Sequence, residues 1–347
     1  MTLAARFDGF ADWCVGTSPL YERLARGVAG DAELLGLARV VPSDRSPPHV
    51  LLAAVHAELL RGVSHPLSTF YPSVADDPIL VESENPFPSF RSFCLEHEER
   101  LHPILETRRT QTNAVRRCTA LLPAFEFVSR LADREPLALI ELGASAGLNL
   151  LFDRYDYEYN GDCVGNTDSP LCLSAAVRGD REPPIPNQFP RIDSRIGVDL
   201  NPLDVTDLDE ARWLRALVWP EHTNRHRNLE QAISIAREDP PKLRRGDAVE
   251  SFPDLLEKIP DSLPVCVFDT QLRYQLSDEQ VEQLDESLTE AGKSRELYWL
   301  SGHRPAPECE HGIVLELGRV VDGNSVVEPI AAYNQHGAWI EWVGLTT

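Results

Sequence analysis

Lysine and methionine are scarce in this sequence. Of the 33 basic residues only Lys242, Lys258 and Lys293 are lysines and the other thirty are arginines, while methionine occurs once. With 55 acidic residues the formal net charge is −22. An acidic surface with arginine in place of lysine is typical of proteins from a high-salt cytoplasm, where ions screen the self-repulsion. A genome that encodes arginine readily because it is rich in G and C is the alternative explanation.

The small number of basic residues also limits the kinds of partner. Binding to nucleic acid or to an anionic membrane generally needs a basic footprint, which a net charge of −22 does not favour. A basic groove confined to one part of the surface is compatible with this total. The sequence also contains no run of eighteen apolar residues, and the N-terminal segment MTLAARFDGFADW has no signal-peptide core. We therefore expect a soluble, cytoplasmic protein without a membrane anchor.

Cysteine pairs with C-x-x-C spacing are absent. The seven cysteines are scattered along the chain, at positions 14, 94, 118, 163, 172, 266 and 309. This scatter favours reduced thiols in a cytosol over a disulfide framework or a zinc site. Cys163 and Cys172 are close in sequence but have no histidine partners, so we expect no metal site.

The charge balance leads to a prediction about salt. Clustered surface acids without lysine partners repel one another at low ionic strength, so the stability of the protein is expected to rise strongly with salt. Thermal unfolding measured in dilute buffer and in molar KCl tests this expectation. Equal stability under the two conditions would refute the inference of adaptation to high salt.

Two regions of the chain differ in their pattern of apolar residues. Residues 1–130 read as helices separated by proline-rich connections, whereas from residue 137 short apolar runs alternate with amphipathic segments. Such alternation predicts a parallel sheet with helices on both faces, and two final strand patterns joined by a loop predict an antiparallel hairpin. We predict an α/β fold with a seven-stranded, mostly parallel, doubly wound sheet and an antiparallel C-terminal hairpin, preceded by a mainly helical N-terminal region.

The segment LALIELGASAGLNLLFDRY, residues 137–155, joins a predicted strand to a predicted helix through a glycine-containing turn. Such a turn lets the backbone approach a ligand. The dinucleotide-binding spacing G-x-G-x-x-G, counted from Gly143, requires glycine where the chain has Ser145 and Leu148. The pattern E-x-G-x-S-x-G, from Glu141 to Gly147, instead resembles the first motif of class I S-adenosylmethionine-dependent methyltransferases, commonly (Asp/Glu)-x-Gly-x-Gly-x-Gly. Ser145 replaces the middle glycine.

Three acidic segments follow in the order that this superfamily shows. GVDLNPLDV has Asp199 at the end of the second strand pattern, RRGDAVESF contains Asp247 and Ala248, and PVCVFDT ends near Asp269. The resemblance implies that Asp199 accepts the ribose hydroxyls, that Asp247 and Ala248 contact adenine, and that Asp269 faces the methyl group. For Asp199, capping of the turn before Asn201 is the structural alternative. The implied cofactor-binding residues are Glu141, Gly143, Ala144, Ser145, Gly147, Asp199, Leu200, Asp247, Ala248 and Asp269.

The resemblance extends beyond these motifs. QTNAVRRCTALLP before the first strand, ELGASAGLNLLFDRYDY and a long insertion are together similar to domain of unknown function 2332, a family found in bacteria and haloarchaea. It implies a helical lid or substrate region over residues 1–130 and a class I methyltransferase-like domain over 131–347. The insertion spans about 156–192 and is expected to form strands lying over the sheet. It separates Glu141 from Asp199 by 58 residues, where roughly twenty are usual.

Methyl transfer requires both reactants to be held in line, and a general base only when the acceptor carries a proton. The catalytic candidates are Asp269, Tyr274 and His303. Ordinary roles in a turn cap, a helix start or a loop remain open for them. The candidates for substrate binding are His65, Tyr71, Gln111, Asn113 and Arg273.

The segment after the fourth predicted strand bears on the acceptor. It reads Asp269-Thr-Gln-Leu and lacks the Asn/Asp-Pro-Pro-aromatic motif of many nucleic-acid methyltransferases, so a small-molecule or protein acceptor is favoured. We predict a methyltransferase with S-adenosyl-L-methionine as its cofactor. A non-catalytic protein that binds this cofactor or a related nucleoside, and with less support an NAD-linked oxidoreductase, remain alternatives.

Overall fold

The computed structural model describes residues 1–165, 168–306 and 311–344. The chain forms two compact units, each built from two segments. Met1–Thr112 and Thr206–Glu230 form the helical unit, while Asn113–Val205 and the residues from Gln231 onward form the sheet unit. Cys309, one of the cysteines interpreted above, lies outside the described residues.

The α-helices of the described residues belong to both units. They are α1 (Leu3–Cys14), α2 (Pro19–Ala29), α3 (Ala32–Ala38), α4 (Pro47–Leu60), α5 (Phe87–Glu96), α6 (Glu98–Thr107), α7 (Cys118–Leu131), α8 (Leu208–Ala216), α9 (Thr223–Glu238), α10 (Ala248–Leu256) and α11 (Asp278–Ser294). Short 3₁₀ helices cover Pro66–Phe70, Val115–Arg117, Leu148–Arg154 and Arg273–Gln275. No helix among the described residues has both the length and the apolar character needed to cross a membrane.

The core of the helical unit is organised around α4. Its residues from Pro47 to Leu59 are all buried except His49, which is the pattern of a helix surrounded by others rather than one lying on a surface. Apolar side chains of α1, α2, α5, α6 and α8 pack into the same core. The one buried imidazole of α4, that of His56, bonds to the carbonyl of Ala216 at 3.0 Å and to Ser73 Oγ at 2.7 Å.

The sheet unit contains one large sheet. Its strands are β1 (Leu137–Leu142), β2 (Asp156–Tyr159), β3 (Asp162–Gly165), β4 (Cys172–Arg178), β5 (Ile192–Asp199), β6 (Lys242–Arg245), β7 (Val265–Thr270), β8 (Leu297–Pro305), β9 (Gly312–Val321), β10 (Asn324–Asn334) and β11 (Trp339–Trp342). Their order in the sheet is β3-β2-β4-β11-β10-β9-β8-β7-β1-β5-β6.

The mixed α/β fold, the helical N-terminal region and the antiparallel C-terminal strands are confirmed, but the prediction of seven strands was wrong. The insertion supplies β2, β3 and β4, which continue the sheet at the far edge of β11 instead of lying over it. In addition, the segment AAYNQHGAWIEWV, which reads as one strand, divides into the end of β10 and β11. The division occurs where Gly337 adopts a positive φ of 77° and its N–H bonds to the carbonyl of Asn334.

The central strands have a topology that defines one edge of the sheet. β6, β5, β1, β7 and β8 are mutually parallel neighbours. The chain first builds outward from β1 through β5 and β6, then returns to place β7 and β8 on the other side of β1. The strand order therefore reverses between β1 and β7, and in open α/β sheets ligands bind outside the carboxyl ends of the strands at such a point.

Both faces of the central strands are covered. Ala138, Ile140 and Leu142 of β1 share a buried cluster with α10 and α11. On the opposite face, the ring of Phe125 on α7 lies 5.1 Å from that of Phe268 on β7. Because side chains alternate along a strand, Glu141 points to the same face as α7.

The segment after β1 differs from the sequence prediction. A helix was expected to follow the glycine turn, but Leu148–Arg154 is a short 3₁₀ helix in which Leu151 has non-helical dihedral angles. Five consecutive residues, Leu148 to Phe152, are buried, so this stretch lacks the alternation of buried and exposed faces that an amphipathic helix presents.

Candidate functional site

Four acidic residues lie at the carboxyl ends of four adjacent strands. Glu141 is the second-last residue of β1, Asp199 the last of β5 and Asp269 the second-last of β7, while Asp247 follows the end of β6 by two positions. Because these strands are parallel neighbours in the order β7-β1-β5-β6, their carboxyl ends share one edge. This edge includes the place between β1 and β7 where the strand order reverses, which is the switch point of the sheet.

The turn after β1 has an unusual backbone. Gly143, Ser145 and Gly147 all have positive φ, of 73°, 52° and 68°. A Cβ atom on Gly147 would approach side-chain atoms of Pro241 and Leu243 to 2.9 Å, so both space and conformation require glycine there. Ser145 is a non-glycine residue in the left-handed region, which costs on the order of 1–3 kcal/mol and is concentrated at functional sites.

Asp199 holds this turn against β5. Its Oδ2 accepts the N–H of Ser145 at 2.8 Å, and its Oδ1 accepts the N–H of Asn201 at 2.8 Å. The N–H of Leu203 in turn donates to the carbonyl of Ser145 at 3.1 Å. The neighbouring side chain of Leu200 is 68% exposed. Asp199 therefore has the turn-capping role, and it also fixes the conformation of the glycine turn.

Asp247 begins α10. Its Oδ1 accepts the N–H groups of Val249 and Glu250 at 2.8 and 3.2 Å, an N-cap arrangement, and Ala248 is the buried first residue of the helix. The N–H of Gly246 donates to the carbonyl of Asp199 at 3.0 Å, which ties the end of β6 to the end of β5.

Glu141 is a buried carboxyl group in which one oxygen has no hydrogen-bond partner among the described residues. It is 1% exposed, and its Oε1 accepts from Asn149 Nδ2 at 3.0 Å, whereas Oε2 has no partner among the described residues. Burial raises the pKa of Glu141 to about 8, against the opposing effects of Asn149 and Arg117. At neutral pH the group is therefore mostly protonated in the ligand-free protein, and a cation placed beside it would favour the carboxylate.

Asn113 approaches the same turn from the segment before α7. Its Nδ2 donates to the carbonyl of Ala144 at 2.9 Å, and its Oδ1 is buried without a partner in the described part of the chain. Ser145 Oγ is likewise buried without a partner among the described residues. Buried polar atoms without partners are uncommon in folded proteins and indicate a place where a ligand or water supplies the missing bond.

A chain of hydrogen bonds lies at the ends of β7 and β8. Asp269 Oδ2 accepts from Ser301 Oγ at 2.9 Å and from Arg273 Nε at 3.3 Å, and Ser301 Oγ lies 3.0 Å from His303 Nδ1. Because the Ser301 hydroxyl donates to Asp269, it accepts from Nδ1–H, which leaves Nε2 of His303 as the basic nitrogen. Burial lowers the pKa of His303, so the ring is neutral at pH 7. Asp269 Oδ1 has no partner among the described residues.

Arg273 and Tyr274 follow β7. Arg273 is buried, and its Nη1 donates to Asp285 Oδ1 at 2.6 Å in addition to the contact with Asp269, so two carboxylates offset its charge. Tyr274 is 67% exposed. Together with Arg273 and His303 it lines an open groove of about 1090 Å³, whose other wall is the acidic surface of α11.

The remaining predicted substrate residues belong to the helical unit. His65 caps the 3₁₀ helix Pro66–Phe70, where its Nδ1 accepts the N–H of Leu67 at 3.1 Å. Tyr71 is fully buried in the core of this unit, with a hydroxyl that has no partner among the described residues. Gln111 is half-buried near the end of the first segment of the unit.

Four residues near the carboxyl ends of the central strands were not among the site residues predicted from the sequence. Asn149 and Ser301 orient candidate side chains, and Arg117 and Tyr333 are buried polar groups beside the end of β7. The signal for Arg117 was present in QTNAVRRCTALLP, where a pair of arginines interrupts an apolar run. Ser301 is a polar residue within the apolar strand LYWLSG. Nothing in the local sequence distinguishes Asn149 or Tyr333 from ordinary packed residues.

A comparison with protein families gives a match over nearly the whole chain. A family model described as "Uncharacterized protein conserved in bacteria (DUF2332)" matches residues 4–342. No curated protein matches the chain. The matched range includes the glycine turn, the insertion and all four acidic residues at the strand edge.

Proposed function

The chain belongs to the DUF2332 family, as its motifs had suggested, and we propose that it is an S-adenosylmethionine-dependent methyltransferase with a small-molecule or protein acceptor. One observation carries this proposal. The turn with positive φ at Gly143, Ser145 and Gly147 follows Glu141 and bonds to Asp199, and Asp247 lies after the next strand at the same end of the sheet, beside the switch point.

The polar atoms left without partners fit this cofactor. S-adenosylmethionine carries an ammonium group and a sulfonium, and both are positive. Glu141 Oε2 and Asn113 Oδ1 are buried acceptors without partners among the described residues, and both lie beside the glycine turn. An ammonium group offers the donors and the charge that these two atoms lack.

Asp199 and Asp247 are the acids that we assign to the nucleoside portion of the cofactor. Asp199 ends β5 at the carboxyl end of the sheet and bonds to the glycine turn, and a carboxylate at this position is the acceptor that we assign to the ribose hydroxyls. Asp247 uses Oδ1 for its capping bonds, which leaves Oδ2 for the adenine amine. The N–H of Ala248, in the first turn of α10, has no intrahelical partner and suits a ring nitrogen of adenine.

The chemistry follows from the groups at the ends of β7 and β8. When bound, the cofactor supplies an electrophilic methyl group, and the protein has to exclude water and orient the acceptor. His303 borders the groove, and its hydrogen bond to Ser301, which donates to Asp269, leaves Nε2 as the basic nitrogen, so we assign to Nε2 the proton of an acceptor hydroxyl or amine. An acceptor that carries no such proton would not need His303 as a base.

The first test is cofactor identity. S-adenosylhomocysteine, the demethylated product, is expected to stabilise the protein in molar KCl by roughly 2.7 kcal/mol at a hundredfold excess over its Kd, while NAD has no effect. Thermal melts with each ligand measure this, and equal or greater stabilisation by NAD would sink the proposal. Incubation with labelled cofactor and a metabolite extract then separates an enzyme from a protein that only binds the cofactor.

A further inference from the structure

Arg117 is a buried cation at the end of β7. It is 6% exposed, its Nε donates to the carbonyl of Gln335 at 2.9 Å, and its Nη1 lies 3.4 Å from Thr270 Oγ1. Both partners are neutral oxygens. Within the described ranges of the chain, no carboxylate lies within 4.0 Å of its guanidinium group.

The carboxyl groups of this region bond to residues other than Arg117. Asp269 is paired with Arg273, which also bonds to Asp285. Glu141 influences Arg117 electrostatically, but burial raises its pKa to about 8, so it is mostly neutral at pH 7. A buried guanidinium with only neutral partners is unfavourable, because burial removes its hydration without supplying a counter-charge.

Tyr333 provides a second donor at the same place. It is 1% exposed, and its hydroxyl has no partner among the described residues. The hydroxyl lies over Gly302, where a Cβ atom would overlap it, and Gly302 is the register partner of Thr270. Burial raises the pKa of Tyr333 to about 12, against an opposing effect of Arg117, so the hydroxyl keeps its proton and both groups are donors.

We propose that Arg117 and Tyr333 form a subsite for a carboxylate group of a ligand bound at this edge of the sheet. A guanidinium group presents planar donors that match a carboxylate, and the tyrosine hydroxyl adds a third. The carboxylate comes either from the amino-acid portion of the cofactor or from the methyl acceptor. The subsite is argued from the burial and the contacts of Arg117 and Tyr333, whereas its use in methyl transfer rests on the proposed function. The rival explanation is that Arg117 only ties Gln335 to Thr270.

Three variants separate these explanations. Arg117→Gln removes the charge. Tyr333→Phe removes a hydroxyl that has no partner in the described part of the chain, so a purely structural role predicts no effect of this second change. Arg116→Gln is the matched control, because Arg116 lies on the same turn but donates to the carbonyl of Ser174 on β4. If Arg117→Gln does not fold, Tyr333→Phe decides the question.

The first measurement compares S-adenosylhomocysteine with its decarboxylated analogue by calorimetric titration. If the subsite holds the carboxylate of the cofactor, the native protein and Arg116→Gln prefer S-adenosylhomocysteine by roughly tenfold or more. Arg117→Gln then loses most of this preference and Tyr333→Phe part of it. If the subsite serves the acceptor, all four proteins bind the two ligands equally.

The second measurement adds malonate to the protein, both with and without S-adenosylhomocysteine, against KCl of equal ionic strength. An acceptor subsite predicts a higher melting temperature with malonate for the native protein and Arg116→Gln, and a smaller or absent rise for the other two variants. If neither the carboxylate preference nor the malonate effect depends on Arg117 or Tyr333, the subsite is refuted. If S-adenosylhomocysteine does not bind at all, the proposed function fails, while the malonate arm still tests the subsite.

Discussion

Replacing Glu141 by glutamine is expected to stabilise the ligand-free protein and at the same time to weaken cofactor binding. The pKa of this carboxyl group is about 8 in the folded protein and 4.5 when it is not buried. Because the pKa of Glu141 is raised on folding, the contribution of this group to the free energy of unfolding is complete below pH 4.5 and is lost as the pH rises toward 8. Glutamine stays neutral, so the variant avoids this loss, which reaches on the order of 4 kcal/mol at pH 8.

Denaturant unfolding of the native protein and of Glu141→Gln between pH 5 and pH 8.5 measures the gap between their free energies of unfolding. This gap should widen as the pH rises. The matched control is Glu126→Gln on α7. Glu126 is also buried, but it bonds to Arg130 and Arg134, so glutamine there should lower the stability of the protein. A gap for Glu141→Gln that stays constant with pH would contradict the assignment of a neutral buried carboxyl group.

The same variant bears on binding. An ammonium group beside Glu141 favours the carboxylate, so binding of S-adenosylhomocysteine at pH 7 should release close to one proton from the native protein. Calorimetry in two buffers of different ionisation enthalpy measures that release. Glu141→Gln should show none and should bind more weakly.

Removing the carboxylate of Asp199 is expected to lower both stability and affinity. Asp199→Ala leaves the N–H groups of Ser145 and Asn201 without their charged acceptor, and a loss of about 2–3 kcal/mol is expected from hydrogen bonds of this kind. Affinity should fall because the glycine turn loses its anchor and the ribose loses an acceptor. Denaturant unfolding and calorimetric titration with S-adenosylhomocysteine measure the two effects.

A comparison of ligands isolates the contact with ribose. The native protein should bind S-adenosylhomocysteine more tightly than its 2′,3′-dideoxy analogue, and Asp199→Ala should bind the two alike, as a double-mutant cycle requires. Asp207→Ala is the control, since Asp207 caps α8 by accepting from Asp209 and Glu210 and lies in the helical unit. It should lower stability by about 1 kcal/mol without changing affinity. If Asp199→Ala kept the preference for the ribose hydroxyls, Asp199 would be a turn cap alone.

The sequence was sufficient to locate the central strands and to place the acidic residues at one edge. β1, β7, the last four residues of β5 and the first four of β8 are largely apolar, and the carboxyl ends of parallel neighbours lie at the same end of the sheet. Glu141, Asp199 and Asp269 lie at the ends of these runs, and placing them together needs only local patterns and the direction of the chain. Asp247 follows the polar strand β6, KLRR, and was added through the resemblance to the methyltransferase motifs.

Features that depend on distant contacts could not be predicted in this way. β3 consists of the four residues DCVG, all of them exposed or partly exposed, so no apolar alternation marks it as a strand. Arg117 contacts residues that are 153 and 218 positions away, and nothing local indicates which carbonyl its side chain reaches. The positive φ of Ser145 is similar, because it follows from hydrogen bonds to Asp199 and Leu203 that form only when β1 and β5 pair.

The pairing of β4 with β11 has a consequence for folding during synthesis. Ala176 and Trp339 are register partners although roughly 160 residues separate them, so at translation rates of about 5–20 residues per second β4 waits on the order of ten seconds for its neighbour. During this time its unpaired edge can accept a strand from another nascent chain. A chain whose synthesis ends after β10 therefore keeps the β4 edge open to such pairing.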